Sequence, residues 1–275
     1  MWKNEESTHK EQIRLDCGRW CHFIETICGA PRQNEMRLGV VRRALELVFF
    51  HNESIWPAKM KDLISRSCSV IPDFITEKEE RSLLNEIEPH MKRLRYEKSH
   101  WDNAIHLYRE REQRRWSEEN EPIIQRVRDK SFKKGDAHLS YVHILDLHKD
   151  GVIKPHIDSV RYCGDVISGM CLLSDAVLRL RHKDRKDELI VDFFVPRRCL
   201  YRMGEYGRYE FTHEVLGKDE SFFNGRPVPR DRRISVICRD LPKAFVEAQE
   251  RAKEIAAHSA AAKRDGEATQ NAELA

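Results

Sequence analysis

The alternation of apolar and polar positions changes character several times along the chain, and each change predicts a different element. Val70-Ile71-Pro72-Asp73-Phe74 is a short apolar opening segment. Thr76-Glu77-Lys78-Glu79 then has the form of a capping box, ahead of Leu83, Leu84 and Ile87 on one helical face. A helix is predicted from there until Pro89, which lacks the amide hydrogen to continue the ladder. A second helix is predicted after Glu121-Pro122, with Ile123, Ile124 and Val127 on its apolar side. Between the two, residues 97–115 are densely charged without strand alternation and read as helix or solvated segment. From 140 to 239 strand patterns dominate.

The last strand carries unusual residues. In Arg233-Ile234-Ser235-Val236-Ile237-Cys238-Arg239 a period of two places Arg233, Ser235, Ile237 and Arg239 on one face, and Ile234, Val236 and Cys238 on the other. A guanidinium on an otherwise apolar strand needs an anionic partner, because an unpaired buried cation is costly. A dicarboxylate gripped by the arginine fork would meet that need, with Ser235 adding a hydroxyl. Arginines that cap the strand ends in solvent are the competing reading. The preceding stretch, 214–232, is longer than an ordinary connection and holds Phe222, Phe223, Gly225, Pro227 and Pro229. It either covers a site or is pinned to the core by its phenylalanines.

The two ends differ from the middle. After Pro242 the chain is rich in Ala, Glu, Lys and Gln, which suits an exposed helix fraying into a disordered tail. Residues 1–35 are polar and lack the apolar core of a secretory signal. From Met36, Met-Arg-Leu-Gly-Val-Val-Arg-Arg-Ala-Leu-Glu-Leu combines an apolar stripe with arginines, as a mitochondrial address would. An amphipathic helix packed on the core is the alternative. Translation from Met36 is expected to yield the imported form. The expected organisation is an extension over 1–68, a catalytic domain over 69–242 and a charged, Ala-rich tail over 243–275.

Composition narrows the class. A chain of 275 residues can bury a full core. Lys plus Arg number 49 against 46 Asp plus Glu, too even a balance to argue for a polyanionic partner. No apolar run approaches the about 18 residues that span a bilayer. The 8 cysteines include no Cys-x-x-Cys pair, so reduced structural thiols in an intracellular protein are expected.

His-x-Asp occurs at His100/Asp102, His148/Asp150, His156/Asp158 and His182/Asp184. On a strand both side chains of such a pair leave one face and can reach one ion, but a third ligand must come from elsewhere. Requiring a further His at roughly fifty to sixty residues removes His148 and His182. His100/Asp102 survives that test with His156, but lies in the charged, non-alternating segment. His156/Asp158 follows the apolar stretch 141–147 and the turn signal Lys149-Asp150-Gly151, with His213 beyond it. Two imidazoles and one carboxylate suit ferrous iron and leave positions open for a co-substrate and oxygen. A structural zinc site would normally close all of its positions.

These residues carry a resemblance. His156-x-Asp158, the distal His213 and the Arg233 to Arg239 strand resemble the AlkB family of iron(II)- and 2-oxoglutarate-dependent dioxygenases. Val142-His-Ile-Leu-Asp-Leu147, Tyr209-Glu-Phe-Thr-His-Glu214, Glu220-Ser-Phe-Phe223 and Arg232-Arg-Ile-Ser-Val-Ile-Cys-Arg239 resemble a mitochondrial branch of it. The likeness covers residues 69–242. It implies a mainly β fold with flanking helices, built on a double-stranded β-helix, or jelly roll, with the site at one open end.

By the same resemblance, His156, Asp158 and His213 would bind Fe(II), and O2 would be the oxidant. Arg233 would pair with the distal carboxylate of 2-oxoglutarate, Arg239 would meet its other end, and Tyr201 would donate to it. Ile234 and Ser235 would line the pocket. Members that repair nucleic acid have Asn-x-Tyr where this chain has Leu145-Asp146-Leu147, which removes two polar contacts to the co-substrate. The implied activity is hydroxylation of a protein or metabolite target in the mitochondrial matrix, linked to fatty-acid metabolism and programmed necrosis. Two alternatives stay open. One is demethylation of N-methylated mitochondrial RNA, gripped by Trp101, Tyr108 and Trp116 among Arg109, Arg111, Arg114 and Arg115. The other is an iron-dependent sensor or scaffold with little turnover. A monomer without a transmembrane segment is expected.

Overall fold

The computed structural model describes residues 47–273, so the segment from Met36 to Glu46 lies outside the described residues. In chain order the elements are β1 (Val48–Phe50), α1 (Ala58–Ser67), β2 (Cys68–Ile71), α2 (Glu77–Met91), β3 (Ile105–Gln113) and α3 (Glu121–Ser131). Then follow β4 (Val142–His156), β5 (Val166–Leu172), β6 (Ala176–His182), β7 (Ile190–Val195), β8 (Leu200–Gly204) and α4 (Glu205–Glu210). The chain ends with β9 (Phe211–Val215), β10 (Phe222–Phe223), β11 (Arg226–Pro227), β12 (Arg233–Arg239) and α5 (Lys243–Glu273).

The main sheet runs β1-β7-β6-β9-β4-β12-β5-β8-β2, with β3 added against β4. Strand β4 explains its curl. The first part of β4 pairs with β12, from His143↔Ile237 to Leu147↔Arg233, whereas its end pairs with β9 at Ile153↔Val215 and His156↔His213. One strand thus serves two layers, β4-β12-β5-β8-β2 on one side and β4-β9-β6-β7-β1 on the other. The fold is a mainly β double-stranded β-helix with flanking helices.

Gly151 makes the crossing between layers. A Cβ there would lie 2.8 Å from both Leu107 O and Leu147 Cδ1, so only bare backbone fits beneath the irregularity of β3 between His106 and Tyr108. Lys149-Asp150-Gly151 is therefore a bend inside one continuous strand and not the turn that its composition suggests.

Period-two alternation sorts the core into two layers. Leu145, Leu147, Ile167, Met203 and Ile237 point between the sheets, together with Leu180, Val191 and Phe193. Ile144, Met170, Ile234 and Val236 point the other way and are covered by Leu83 and Ile87 of α2 and Ile123 and Val127 of α3. The capping box of α2 forms: Thr76 Oγ1 accepts from Glu79 N at 3.2 Å, and Thr76 N donates to Glu79 Oε2 at 2.8 Å. The helix passes Pro89 and ends at Met91, whose fully buried side chain offsets the lost hydrogen bond.

Segment 97–115 departs from the expectation of a helix or solvated stretch. Its centre is strand β3, paired along β4. The buried face of this strand is satisfied by charge: Arg109 Nε donates to the fully buried Asp146 Oδ2 at 2.7 Å. Asp146 also accepts from Arg232 Nη2 at 2.7 Å and from Tyr96 Oη at 3.1 Å, and Arg232 Nη1 continues to Glu88 of α2 at 2.6 Å. A hydropathy period cannot register a strand held this way. Trp101 lies in the turn before β3, Tyr108 within the strand and Trp116 beyond it, so the three aromatics do not share one helical face.

The sheet also begins ahead of residue 69, since β1 pairs with β7 and covers an otherwise bare edge. Stretch 214–232 contains the β10–β11 hairpin. Phe223 packs on Phe194 and Phe49, with ring centroids 5.7 and 6.4 Å away, beside Val177, Leu216 and Val228. This anchors the loop to the outer face of the β6–β7 layer, while Phe222 stays exposed. In α5 the side chains are mostly exposed as far as residue 258. Among the described residues, no helix is long and apolar enough to cross a membrane.

Candidate active site

At the open end of the interior the structure brings together His156 and Asp158, from the end of β4 and the turn after it, and His213 of β9. Their donor atoms all lie within 4.8 Å of one another. Pairing of β4 with β9 sets His156 directly opposite His213, with ring centroids 4.2 Å apart. Asp158 divides its two oxygens. Oδ1 lies 3.2 Å from His156 Nε2 and 3.7 Å from His213 Nε2, whereas Oδ2 accepts from Arg239 Nε and Nη2 at 3.3 and 3.2 Å.

The protonation states suit a cation. His156 Nδ1 donates to Lys154 O at 2.9 Å, which turns Nε2 toward the cluster. Burial opposes charge on His156, but the hydrogen bond and charge of Asp158 outweigh it and raise its pKa. Asp158 is held well below the carboxylate range despite its burial, by His156 and by Arg239. Burial, reinforced by the neighbouring His156, pushes His213 down to about 3, so that it stays a neutral donor. Neutral His213, the Asp158 carboxylate and His156, whose Nε2 proton a metal ion would displace, fit ferrous iron.

The other three His-x-Asp pairs are local contacts. His100 and His148 meet their own aspartates at 2.7 and 3.5 Å. His182, Asp184 and Glu210 also cluster, but Lys183 Nζ already lies 3.0 Å from Glu210 Oε2.

Behind the triad a cavity of about 90 Å³ opens between the layers. Tyr201, Arg233, Ser235 and Arg239 all line it, together with the three cluster residues. Ile234 does not: the pleat of β12 turns it into the layer beneath α2 and α3. Arg233 is 3 % exposed, and among the described residues no carboxylate pairs with it. Its Nε donates to Cys171 Sγ at 3.0 Å, and its guanidinium stands 5.6 Å from the Tyr201 ring. Burial alone would raise the Cys171 thiol, yet a hydrogen bond from Cys199 and the Arg233 charge bring it down to about 7. A second buried guanidinium, Arg230, adds to this positive field and is pushed down to about 10 by burial and by Arg233. The Tyr201 phenol lies over Gly169 on the neighbouring strand, where a Cβ would come within 2.5 Å of its oxygen.

Outside the triad the cavity meets an open groove of about 930 Å³. Trp101, 81 % exposed, and Tyr162 stand along it, with Asp102, Glu110 and Glu112 among its charged residues.

No family model matches the chain. It is 47% identical over 176 residues to the bovine (Bos taurus) protein named alpha-ketoglutarate-dependent dioxygenase alkB homolog 7, mitochondrial, covering 64% of this chain and 79% of that one. The mouse (Mus musculus) protein of the same name is 46% identical over the same spans. The chain belongs to the AlkB homologue 7 family of 2-oxoglutarate-dependent dioxygenases. Among solved structures, a Pseudomonas putida prolyl-4-hydroxylase is similar at a TM-score of 0.47, with 16% identity over 67% of this chain and 97% of that one. As a member of this family the chain is an AlkB-type dioxygenase, and the family implies Fe(II), 2-oxoglutarate and O2.

Sequence reasoning missed several residues of the site. His143 lines the cavity, donates from Nε2 to Glu110 Oε2 at 2.7 Å and accepts from Arg239 at Nδ1. Extending the alternation of Leu147 and Leu145 back by two residues would have put it on the inner face. Glu110, Cys171 and Gly169 carry no such local signal. Where repair enzymes keep Asn and Tyr, Leu145 contributes an apolar wall, and Asp146 between the two leucines faces outward to Arg109 and Arg232.

Proposed function

We propose that His156, Asp158 and His213 hold Fe(II), and that Arg233, Tyr201 and Ser235 hold 2-oxoglutarate in the cavity behind it. The observation that carries this reading is Arg233, a deeply buried guanidinium with no carboxylate beside it among the described residues, in the same cavity as the triad. A carboxylate is the partner such a group demands. Ser235 Oγ, buried without a hydrogen-bond partner, is a second group that a co-substrate would satisfy. Bound iron supplies the oxygen activation coupled to decarboxylation of 2-oxoglutarate. The chain itself keeps the donors in order. Lys154 O sets the His156 tautomer, Arg239 takes one oxygen of Asp158, and Leu145, Ile153 and Val215 exclude water from the co-substrate. The two guanidinium hydrogens of Arg239 that remain free of Asp158 and His143 are available to the co-substrate.

The substrate in this reading is a side chain of a protein or a small metabolite, oxidised at a C–H bond in the mitochondrial matrix by a monomer. The groove is open enough to admit a segment of chain, and its exposed Trp101 and Tyr162 offer apolar contacts. Asp102, Glu110 and Glu112 offset Arg111 and Lys154 along the groove, which gives no positive track for the phosphate backbone of the alternative, methylated mitochondrial RNA. The link to fatty-acid metabolism and programmed necrosis belongs to the same reading, and a lipid-oxidation phenotype on loss of the protein would test it.

The deciding assay is succinate release by the iron-loaded protein, screened against mitochondrial peptide, small-molecule and RNA fractions, with Asp158→Ala as control. Stimulation by a peptide or metabolite fraction, lost in Asp158→Ala, is expected. Formaldehyde release from methylated RNA alone would replace this reading, and no Asp158-dependent turnover with any fraction would favour a sensor or scaffold.

A further inference from the structure

We infer that His143, held by Glu110, is a positioning residue that aims Arg239 at the metal-binding carboxylate; the inference rests on the iron site proposed above. Arg239 is clamped along two edges. Its Nε and Nη2 donate to Asp158 Oδ2 at 3.3 and 3.2 Å, and its Nη1 donates to His143 Nδ1 at 3.0 Å. A guanidinium has donors and no acceptor, so Nδ1 of His143 must carry the lone pair. The imidazole proton then sits on Nε2, which donates to Glu110 Oε2 of β3 at 2.7 Å. Donor chemistry therefore fixes the direction of every bond between Glu110 and Asp158, and with it the neutral Nε2–H tautomer of His143.

The consequence reaches the metal. An arginine is long and has many rotamers, so one contact would leave the guanidinium free to swing. Held from both edges, it occupies Oδ2 of Asp158 and leaves Oδ1 facing the two imidazoles. One carboxylate oxygen belongs to the arginine, and the other would be left for an ion. Without His143 the guanidinium is released along one edge, and the carboxylate is free to rotate.

The chain continues outward. His100 Nε2 lies 4.0 Å from Glu110 Oε1, and His100 Nδ1 lies 2.7 Å from Asp102 Oδ1, at the rim of the groove. The His100/Asp102 pair, which shares the spacing of the metal motif, thus stands beside Glu110 at the outer end of this row.

The test uses the full chain and a metal-binding readout without turnover. Mn(II) affinity is measured by calorimetry, with no co-substrate, for wild type, His143→Leu and His143→Asn. Losing a group that touches a metal ligand typically weakens metal binding about 10–100-fold; His143 acts one residue further out, through Arg239, so the low end, about 10-fold, is expected for His143→Leu with its melting temperature little changed. The carboxamide oxygen of His143→Asn can still take Arg239 Nη1, so that variant is expected to recover most of the affinity. Equal affinity of His143→Leu and wild type, or equal losses in both variants, overturns the inference.

A second measurement stands apart from the metal and from the variants' folding. Nitrogen NMR of histidine-labelled wild type reads which ring nitrogen of His143 bears the proton. A neutral Nε2–H ring is expected; an Nδ1–H or doubly protonated ring overturns the inference. Wild type that binds no Mn(II) overturns the iron reading instead, and the tautomer then still decides the chain from Glu110 to Asp158.

Discussion

Arg233 should be costly to the empty protein and indispensable to the filled one, and the substitution Arg233→Met separates the two effects. Met keeps an extended apolar side chain and removes the charge. Replacing a buried ion pair by apolar groups of similar volume is often neutral or stabilising by about 1–4 kcal/mol, and a guanidinium buried without a carboxylate is no less costly to keep. Without 2-oxoglutarate, Arg233→Met should therefore melt at or above the wild-type temperature. With 2-oxoglutarate at a hundred times the wild-type Kd, wild type gains about 2.7 kcal/mol, a rise of about 5–10 °C for a domain of this size. A hydrogen bond to a charged group contributes about 1.5–3 kcal/mol, so losing one weakens binding about 10–150-fold. At the same concentration the variant should gain only about 0.3–1.4 kcal/mol, or about 1–5 °C. The assay is thermal unfolding followed by circular dichroism, with Mn(II) in place of iron to prevent turnover. A variant that is less stable than wild type by more than about 1 kcal/mol when empty, yet shifts as far with ligand, would refute the reasoning.

Other outcomes follow from the packing and the charges. Asp146→Ala leaves Arg109 and Arg232 facing a buried gap and should cost about 3 kcal/mol in urea unfolding, the low end of the range because Arg232 is partly exposed; an unchanged midpoint would count against the network. Gly169→Ala should cost about 1–3 kcal/mol by colliding with the Tyr201 phenol, and much less in a Tyr201→Ala background. Equal costs in both backgrounds would mean that the ring does not lie over Gly169. Burial pushes the Cys68, Cys163 and Cys238 thiols up to about 11 from an ordinary 9.0. The folded state keeps these protons longer than the unfolded state, so the contribution is fully present below pH 9 and is lost as pH rises from 9 to 11. The slope is at most about 1.4 kcal/mol per pH unit for each thiol. Urea midpoints from pH 8 to 11 should fall, less steeply in the triple Cys→Ala variant; identical slopes would remove the thiols as the cause.

Much of the site was legible in the chain because it is written in short-range geometry. A period of two puts Arg233, Ser235 and Arg239 on one face of β12, and the structure lines one cavity with all three. The same period sets Ile234 on the opposite face, where it lies, although family resemblance placed it in the pocket. The capping box at Thr76 and Glu79 is likewise a local matter, decided within one helical turn.

The tertiary structure decided whatever depends on a partner far along the chain. Strand β3 is invisible to hydropathy because its buried Arg109 is satisfied by Asp146, 37 residues away. Gly151 has the composition of a turn, and only the approach of Leu107 and Leu147 makes it the crossing point of a continuous strand. His143 looks like an ordinary strand residue until Arg239, 96 residues on, and Glu110, 33 residues before it, claim its two ring nitrogens. Periodicity records which way a side chain leaves the backbone, whereas burial and charge pairing arise only when distant strands are laid side by side.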